Sequence, residues 1–239
     1  MTNLVRGELI KVRTTRTALG FATAALLLVL AVVLITILAG DPQTTNEKRD
    51  ALNVAAAIFV PLLLFGIVGA TGEFRHRTLA PAVLIAPNRA KLTVARLIAY
   101  MLTAALVGVA MVVIGFVVAL PLLSGQPGPD LASSDLVEVA GGAIIVAVLC
   151  SAIGVGIGVV VKNQVAGVVG ILLWLFIIDP LLPLIDDWLV KTSIIGASAT
   201  VGGAEADEVS WAGGVLVLCI WAAVWITAGV LVDRRRDVD

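Results

Sequence analysis

Six long runs of apolar residues dominate the hydrophobic pattern of this chain, and each is nearly free of charge except at its ends. A helix needs about 20 apolar residues to cross the hydrocarbon core of a membrane, and each run reaches that length. The runs are continuous and rich in Leu, Ala, Val and Gly, which favours helices over the alternating strands of a barrel. The predicted spans are residues 18–39, 51–71, 95–123, 137–161, 165–185 and 211–232.

Composition supports the same class. Hydrophobic residues make up 60% of the 239 residues and charged residues 14%, whereas soluble domains are roughly half apolar and about a quarter charged. The sequence therefore predicts an all-α integral membrane protein with six transmembrane helices, forming a single transmembrane domain over residues 1–239.

Basic residues are segregated among the connections between the runs. All but three of the 16 Lys and Arg residues fall in the N-terminal segment, the second and fourth connections and the C-terminal tail; the exceptions are Lys48, Arg49 and Lys191. Lys and Arg are retained on the cytoplasmic side during insertion. We therefore expect both termini to be cytoplasmic and the protein to cross the cell membrane several times.

No motif in the sequence indicates catalysis, a metal site or nucleic-acid binding. The chain has one His and one Tyr, no zinc-ligand spacing and no phosphate-binding loop. Its basic residues are not interleaved with aromatic ones in the way that nucleic-acid surfaces require. Cys150 and Cys219 both fall inside predicted spans, where a buried apolar role is expected.

Small and polar residues within the spans have simple interpretations. We interpret Gly154-x-Gly156-x-Gly158, together with Gly141, Gly142 and Ser151, as a surface for close helix packing. Asp179 and Asn53 are the charged or amide residues nearest to a span interior, and we interpret both as interfacial. The hydroxyl residues Thr23, Thr36, Thr103, Ser151 and Thr227 are compatible with a path for cargo, but backbone hydrogen bonding explains them more readily.

The N-terminal segment, residues 1–17, has an amphipathic pattern of its own. Its apolar residues from Leu4 to Val12 project to one side at about 100° per residue, which predicts a short helix lying in the plane of the lipid headgroups. Glu8 projects to the same side and needs a partner, because an unpaired carboxylate is costly among acyl chains. Two partners are open: Lys11, one turn further on, or an arginine of the second connection, counted through Arg96 at the start of the third span.

The second connection, residues 72–94, carries the densest basic cluster. Thr78 can cap a short helix with Pro81 in its first turn, and Pro87 predicts that this helix ends near residue 86. Such a helix would lie at the cytoplasmic surface between two spans. From spacing alone, the simpler interpretation is an ordinary loop whose charges set the topology.

Three stretches, in their order, resemble one known family. They are Arg6-Gly7-Glu8-Leu9-Ile10-Lys11-Val12-Arg13, then Gly72-Glu73-Phe74-Arg75-His76-Arg77-Thr78-Leu79 followed by Pro87-Asn88-Arg89, and the tail Asp233-Arg234-Arg235-Arg236-Asp237. With the six predicted spans, they are similar to the elbow helix, first coupling element and ending of the permease subunits of ABC-2 type ATP-binding-cassette transporters. Arg77 departs from the pattern, since many members carry Gly before the Thr.

The resemblance implies a permease without an ATPase of its own. A separate ABC ATPase subunit would bind ATP and Mg, so no cofactor, metal or catalytic residue is expected on this chain. A second permease protomer would complete a homodimer or a related heterodimer, which would export an apolar or amphipathic cargo such as a lipid, drug or antimicrobial peptide. The expected contacts with the ATPase subunit are Glu73, Phe74, Arg75, His76, Arg77, Thr78, Leu79, Arg89, Lys162 and Asn163.

The resemblance also implies short re-entrant helices on the outer side over residues 179–210, a stretch too long for a plain loop.

Two other classes of protein remain open. An ion-coupled secondary carrier working alone should show inverted repeats, and we find none in the sequence. A non-transporting membrane scaffold or sensor would need no path through the spans.

Overall fold

The computed structural model describes residues 1–75, 89–203 and 210–235, with the backbone alone at residues 73–75, 89–90 and 233–235. Helix forms most of this part of the chain, and no strand occurs in it. The helices are α1 (Thr2–Thr14), α2 (Arg16–Gly40), α3 (Thr45–Ala51), α4 (Val54–Arg75), α5 (Arg89–Leu123), α6 (Ser133–Val161), α7 (Gln164–Leu173), α8 (Asp187–Lys191), α9 (Ile194–Val201) and α10 (Trp211–Arg235).

Six helical stretches are long and apolar enough to cross a membrane, which confirms the all-α membrane class. They are Arg16–Gly40, Thr45–Gly72, Lys91–Leu123, Ser133–Val161, Gln164–Leu184 and Trp211–Val232. The helices α5 and α6 begin well before the apolar runs predicted for them, at Arg89 and Ser133 respectively. Both ends of the segment 72–94 are therefore helical: α4 continues to Arg75, and α5 begins at Arg89.

The second and fourth of these spans form the centre of the bundle. In their most apolar stretches, 72% and 67% of the residues are buried, against at most 33% in the other four. Small residues let α4 and α6 approach closely. A β-carbon on Gly154 would collide with the carbonyl oxygen of Leu63, and one on Gly158 would lie 2.7 Å from the β-carbon of Ala70. The prediction that Gly154 and Gly158 form a packing surface is confirmed.

The other predicted packing glycines of α6 behave differently from one another. A β-carbon on Gly142 would collide with the carbonyl oxygen of Val201, so this glycine lets α9 approach α6. Gly156 faces α10 instead, where a β-carbon would lie 2.7 Å from the backbone of Trp225. Nothing lies within 4 Å of a β-carbon on Gly141. The inclusion of Gly141 in the packing surface was wrong, because it points away from the neighbouring helices.

The fifth span is not a regular α-helix. After α7 the chain forms a π-helical turn, Trp174–Ile178, and then a 3₁₀ helix, Asp179–Leu184. Pro180 and Pro183 lack the N–H groups that would continue an α-helical ladder. The short helices α8 and α9 follow, and the indole of Trp221 attaches α10 to them by donating to the carbonyl oxygen of Thr192 at 2.9 Å.

Candidate functional site

Charged side chains collect at the two ends of the bundle. We refer to one as the basic end, made by α1, the last turns of α4, the first turns of α5 and the turn between α6 and α7 at Lys162. The opposite end holds α3, the connection between α5 and α6, and the helices α8 and α9. Each end contains a charged side chain that the fold buries almost completely.

The N-terminal helix α1 is a separate element attached to the basic end. Thr15 is extended, with φ −88° and ψ 133°, and this single residue divides α1 from α2. On α1, Glu8 and Val12 are each only 4% exposed. The amphipathic pattern therefore buries one side of α1 against the bundle, and the carboxylate of Glu8 lies on that side.

Glu8 has both of the partners that the sequence left open. The Nζ atom of Lys11 lies 2.6 Å from Oε1 of Glu8, and the Nε atom of Arg96 lies 3.8 Å from Oε2. The two cations differ in exposure, since the Lys11 side chain is 52% exposed and the Arg96 side chain 4%. The carboxylate is therefore neutralised by a local partner at the surface and by a distant partner in the interior.

Arg96 joins three elements at one point. It belongs to α5, its Nε faces Glu8 of α1, and its Nη1 donates a long hydrogen bond of 3.5 Å to the carbonyl oxygen of Ala70 in α4. Removing one partner of a buried ion pair leaves an uncompensated charge in a medium of low polarity, which is strongly destabilising. This geometry therefore fixes the position of α1 relative to the helices on both sides of the segment 72–94.

A tight turn connects α6 to α7 at the same end. Lys162 adopts a left-handed conformation with φ 56°, and its N–H donates to the carbonyl oxygen of Gly158. The side chain of Asn163 then caps α7 by accepting from the N–H groups of Val165 at 3.0 Å and Ala166 at 3.2 Å. An asparagine at this position satisfies N–H groups that an α-helix leaves free. Asn163 is thus engaged in holding the turn.

The remaining predicted contact residues surround this site or lie outside the described residues. The backbones of Glu73, Phe74 and Arg75 form the end of α4, and the backbone of Arg89 begins α5. His76, Arg77, Thr78 and Leu79, with the helix predicted from Thr78 to residue 86, lie outside the described residues. The structure brings the ends of α4 and α5 close to the pair of Glu8 and Arg96, and a shared contact surface for these residues stays a prediction.

The opposite end contains an ion-pair cluster that the sequence analysis missed. Arg49 of α3 lies 3.4 Å from Asp135 and 3.0 Å from Glu138, both in the first turns of α6. The acidic residues are three apart and therefore share one side of a helix. That spacing is the signal which could have predicted a cationic partner, although it does not say which cation it is.

Asp179 is also buried at the opposite end, where it is 5% exposed. Its position at the membrane interface stays a prediction. The hydroxyl of Ser193 donates to its Oδ2 at 3.2 Å, while Oδ1 is buried without a hydrogen-bond partner. Asn53 has a structural role, because its Oδ1 accepts from the N–H of Ala56 at 3.1 Å at the start of α4.

The hydroxyl groups within the spans are occupied by the backbone. Thr36 and Thr103 each donate to the carbonyl oxygen four residues earlier at 2.8 Å, and Thr23 and Thr227 make the same kind of bond. Ser151 donates to the carbonyl oxygen of Tyr100 at 3.4 Å. These bonds agree with the backbone interpretation. Within residues 1–75, 89–203 and 210–235, no group of three or more His, Cys, Asp and Glu residues could hold a metal ion.

Comparison with known proteins assigns no family. A scan of the chain against protein-family profiles finds no match, and a search of curated proteins finds no significant match. The class defined by the fold is therefore a helical multi-pass membrane protein with six candidate spans.

Proposed function

We propose that this protein is the permease subunit of an ABC-2 type transporter, with both termini in the cytoplasm of a bacterial cell. A separate ABC ATPase subunit docks at the basic end, and a second permease protomer completes the transporter. The buried pair of Glu8 and Arg96 carries the proposal, because it ties a non-spanning N-terminal helix to the first turns of α5. Such an attachment suits a region that transmits motion from the ATPase subunit to the transmembrane helices.

Rigid elements are needed to carry motion from an ATPase to the spans. When the ATPase subunits close on ATP, elements that do not deform transmit the motion as a rigid-body shift. The segment 72–94 joins α4 to α5, and α4 belongs to the most buried span of the bundle. Arg96 contacts both α1 and α4, so a displacement of the segment would move α1, α4 and α5 together.

The cargo proposed for this transporter is apolar or amphipathic, such as a lipid, a drug or an antimicrobial peptide. The support is indirect: the hydroxyl groups of the described spans are engaged with backbone carbonyls, which leaves few groups to accompany a strongly polar cargo. The direction is proposed as export, in line with the family that the sequence resembles.

The test is co-purification of an ATPase. The tagged chain is purified from its native membrane, and the eluate is assayed for ATP hydrolysis and for a polypeptide carrying a phosphate-binding loop. We expect Glu73→Ala with Arg77→Ala to reduce the recovered ATPase activity at least tenfold, because both side chains belong to the predicted contact.

The matched control is Lys191→Ala, which removes a charge at the opposite end of the bundle and should leave ATPase recovery unchanged. Full recovery of the ATPase with the Glu73 and Arg77 variant would contradict docking at the basic end. Absence of any ATPase from the wild-type eluate would contradict the permease assignment itself.

A second candidate is an ion-coupled carrier, and the burial of Asp179 favours it. Ionisable residues inside spans are costly and commonly mark ion or proton pathways. Transport by the chain alone in proteoliposomes, driven by an ion gradient without ATP and abolished by Asp179→Asn, would establish this candidate in place of the first.

A further inference from the structure

Lys48 is buried at the opposite end of the bundle without a carboxylate partner among the described residues. It is 1% exposed, and its Nζ donates to the carbonyl oxygens of Pro129 at 3.1 Å and Gly128 at 3.4 Å. Gly128 adopts a φ of 95°, and a β-carbon there would collide with the carbonyl oxygen of Gln43. The loop thus brings its carbonyl groups to the ammonium. Carbonyl dipoles offset only part of a buried charge, so an anion would complete the site.

Lys48 is one of the residues that line a cavity of about 280 Å³. Leu120, Leu123 and Leu131 supply its apolar part, while Lys48, Ser124 and Asp130 supply its polar part. Asp130 is exposed, and its carboxylate has no ion-pair partner in the described part of the chain. The lining of the cavity therefore includes one basic and one acidic residue.

A second, apolar groove of about 630 Å³ continues from the same place. It lies between α5 and α6, and Phe116, Val117, Leu136 and Ala140 are among its lining residues. Leu120 lines both the groove and the polar cavity. A charged cavity at the end of a span and an apolar groove along that span thus share one wall, and this is the arrangement that a headgroup and its attached chain require.

We propose that these two spaces form one binding site for a phospholipid with a zwitterionic headgroup. The phosphate binds the ammonium of Lys48, since lysine binds phosphate as a point charge. The cationic group of the headgroup lies near the carboxylate of Asp130, and one acyl chain lies in the groove against Phe116 and Val117. Such a site would hold its lipid whether or not the protein is a transporter subunit.

Charge selects the headgroup within this site. A lipid whose only charge is the phosphate would neutralise Lys48 but would place its polar head beside Asp130 without a cation. Phosphatidylethanolamine supplies both charges, and its ammonium can also donate hydrogen bonds to the carboxylate. The site should therefore prefer phosphatidylethanolamine to phosphatidylglycerol of the same chain length.

The test measures bound lipid by native mass spectrometry of the full chain in detergent, titrated with phosphatidylethanolamine. Removing the charge with Lys48→Gln should weaken binding about tenfold, the usual scale for losing a hydrogen bond to a charged group. Because Lys48 is buried and its replacement can destabilise the fold, a second variant blocks the groove instead. Val117→Trp fills the space beside Phe116 and should weaken binding to a similar degree.

The chain offers a matched control for the second variant. Leu106 lies on the same helix, three turns before Val117, and the two side chains are 73% and 68% exposed. Leu106 does not line the groove, so Leu106→Trp should bind phosphatidylethanolamine as the wild type does. Equal binding by Val117→Trp and wild type, or an equal loss in both tryptophan variants, would overturn the proposal.

Three further binding measurements test the polar cavity, the apolar groove and the headgroup preference separately. Diacylglycerol, which lacks the phosphate, and free phosphoethanolamine, which lacks the chains, should each bind at least tenfold more weakly than the intact lipid. Equal binding of either one would show that the two spaces do not act together. Asp130→Asn should abolish the preference for phosphatidylethanolamine over phosphatidylglycerol, whereas Asp187→Asn, at another exposed acid of the same end, should retain it. A preference that survives Asp130→Asn would overturn the headgroup assignment.

Discussion

The two ends of the bundle each contain a buried charge, and the groups that compensate for it differ between the ends. At the basic end, the carboxylate of Glu8 meets two cations, one from its own helix and one from α5. At the opposite end, the ammonium of Lys48 donates to backbone carbonyls and has no acidic partner in the described part of the chain, while its neighbour Arg49 pairs with the acidic residues of α6. The first charge is balanced by side chains of this chain, whereas the second has only carbonyl dipoles among the described residues and lies in the wall of a cavity. One end is built to hold helices together and the other to admit a ligand.

Arg96→Ala should have the largest effect on stability of any charge deletion at either end. Among the described residues it leaves the buried carboxylate of Glu8 with the half-exposed Lys11 as its cation, and breaking a buried pair in this way costs about 3–5 kcal/mol. The measurement is the unfolding transition in detergent during titration with SDS.

A double variant distinguishes lost charge balance from lost packing in that experiment. Glu8→Gln with Arg96→Met removes both charges and keeps similar volumes, and replacing both partners of a buried pair is often close to neutral. Its transition should lie near that of the wild type. A double variant as unstable as Arg96→Ala would mean that the charge of Arg96 is not what stabilises the basic end.

Arg49→Ala should have a smaller effect at the opposite end. Its partners Asp135 and Glu138 have side chains 18% and 44% exposed, so water compensates for much of the loss. We expect a destabilisation of about 1 kcal/mol, in the range of partly exposed ion pairs. High salt should reduce this difference between variant and wild type, whereas it should leave the effect of Arg96→Ala nearly unchanged. An equal response of both variants to salt would remove the distinction between the ends.

Lys11→Ala should have the smallest effect. The side chain of Lys11 is half exposed, and ion pairs within one turn of a helix contribute about 0.5 kcal/mol. The same SDS titration measures it, and Lys11→Gln serves as the control that keeps the length of the side chain. A loss comparable to that of Arg96→Ala would show that the local partner, and not the distant one, balances Glu8.

The sequence was sufficient for the six candidate spans, because length and continuous hydrophobicity decide whether a helix can cross a membrane. It also indicated that Glu8 needs a partner and that Gly154 and Gly158 form a packing surface. It could not choose between Lys11 and an arginine for Glu8, since one contact depends on helical spacing and the other on tertiary structure. Both contacts are present, so the two options were not exclusive.

The features that the sequence could not predict depend on contacts between distant residues. Arg49 and Asp135 are far apart in the chain, and no periodic pattern relates a short helix to the first turn of a later span. The burial of Asp179 depends on a π-helical turn followed by a 3₁₀ helix, and hydropathy does not distinguish these from an α-helix. Gly141 and Gly142 are adjacent and identical in type, yet only Gly142 faces a neighbouring helix.

The two partners of Glu8 also imply an order of events during synthesis. Lys11 emerges from the ribosome almost together with Glu8, whereas Arg96 follows several seconds later at about 5–20 residues per second. During that interval Lys11 is the nearer counter-ion in the sequence, and α1 has no α5 against which to pack. Helix α1 therefore acquires its final position only once the third span has been made.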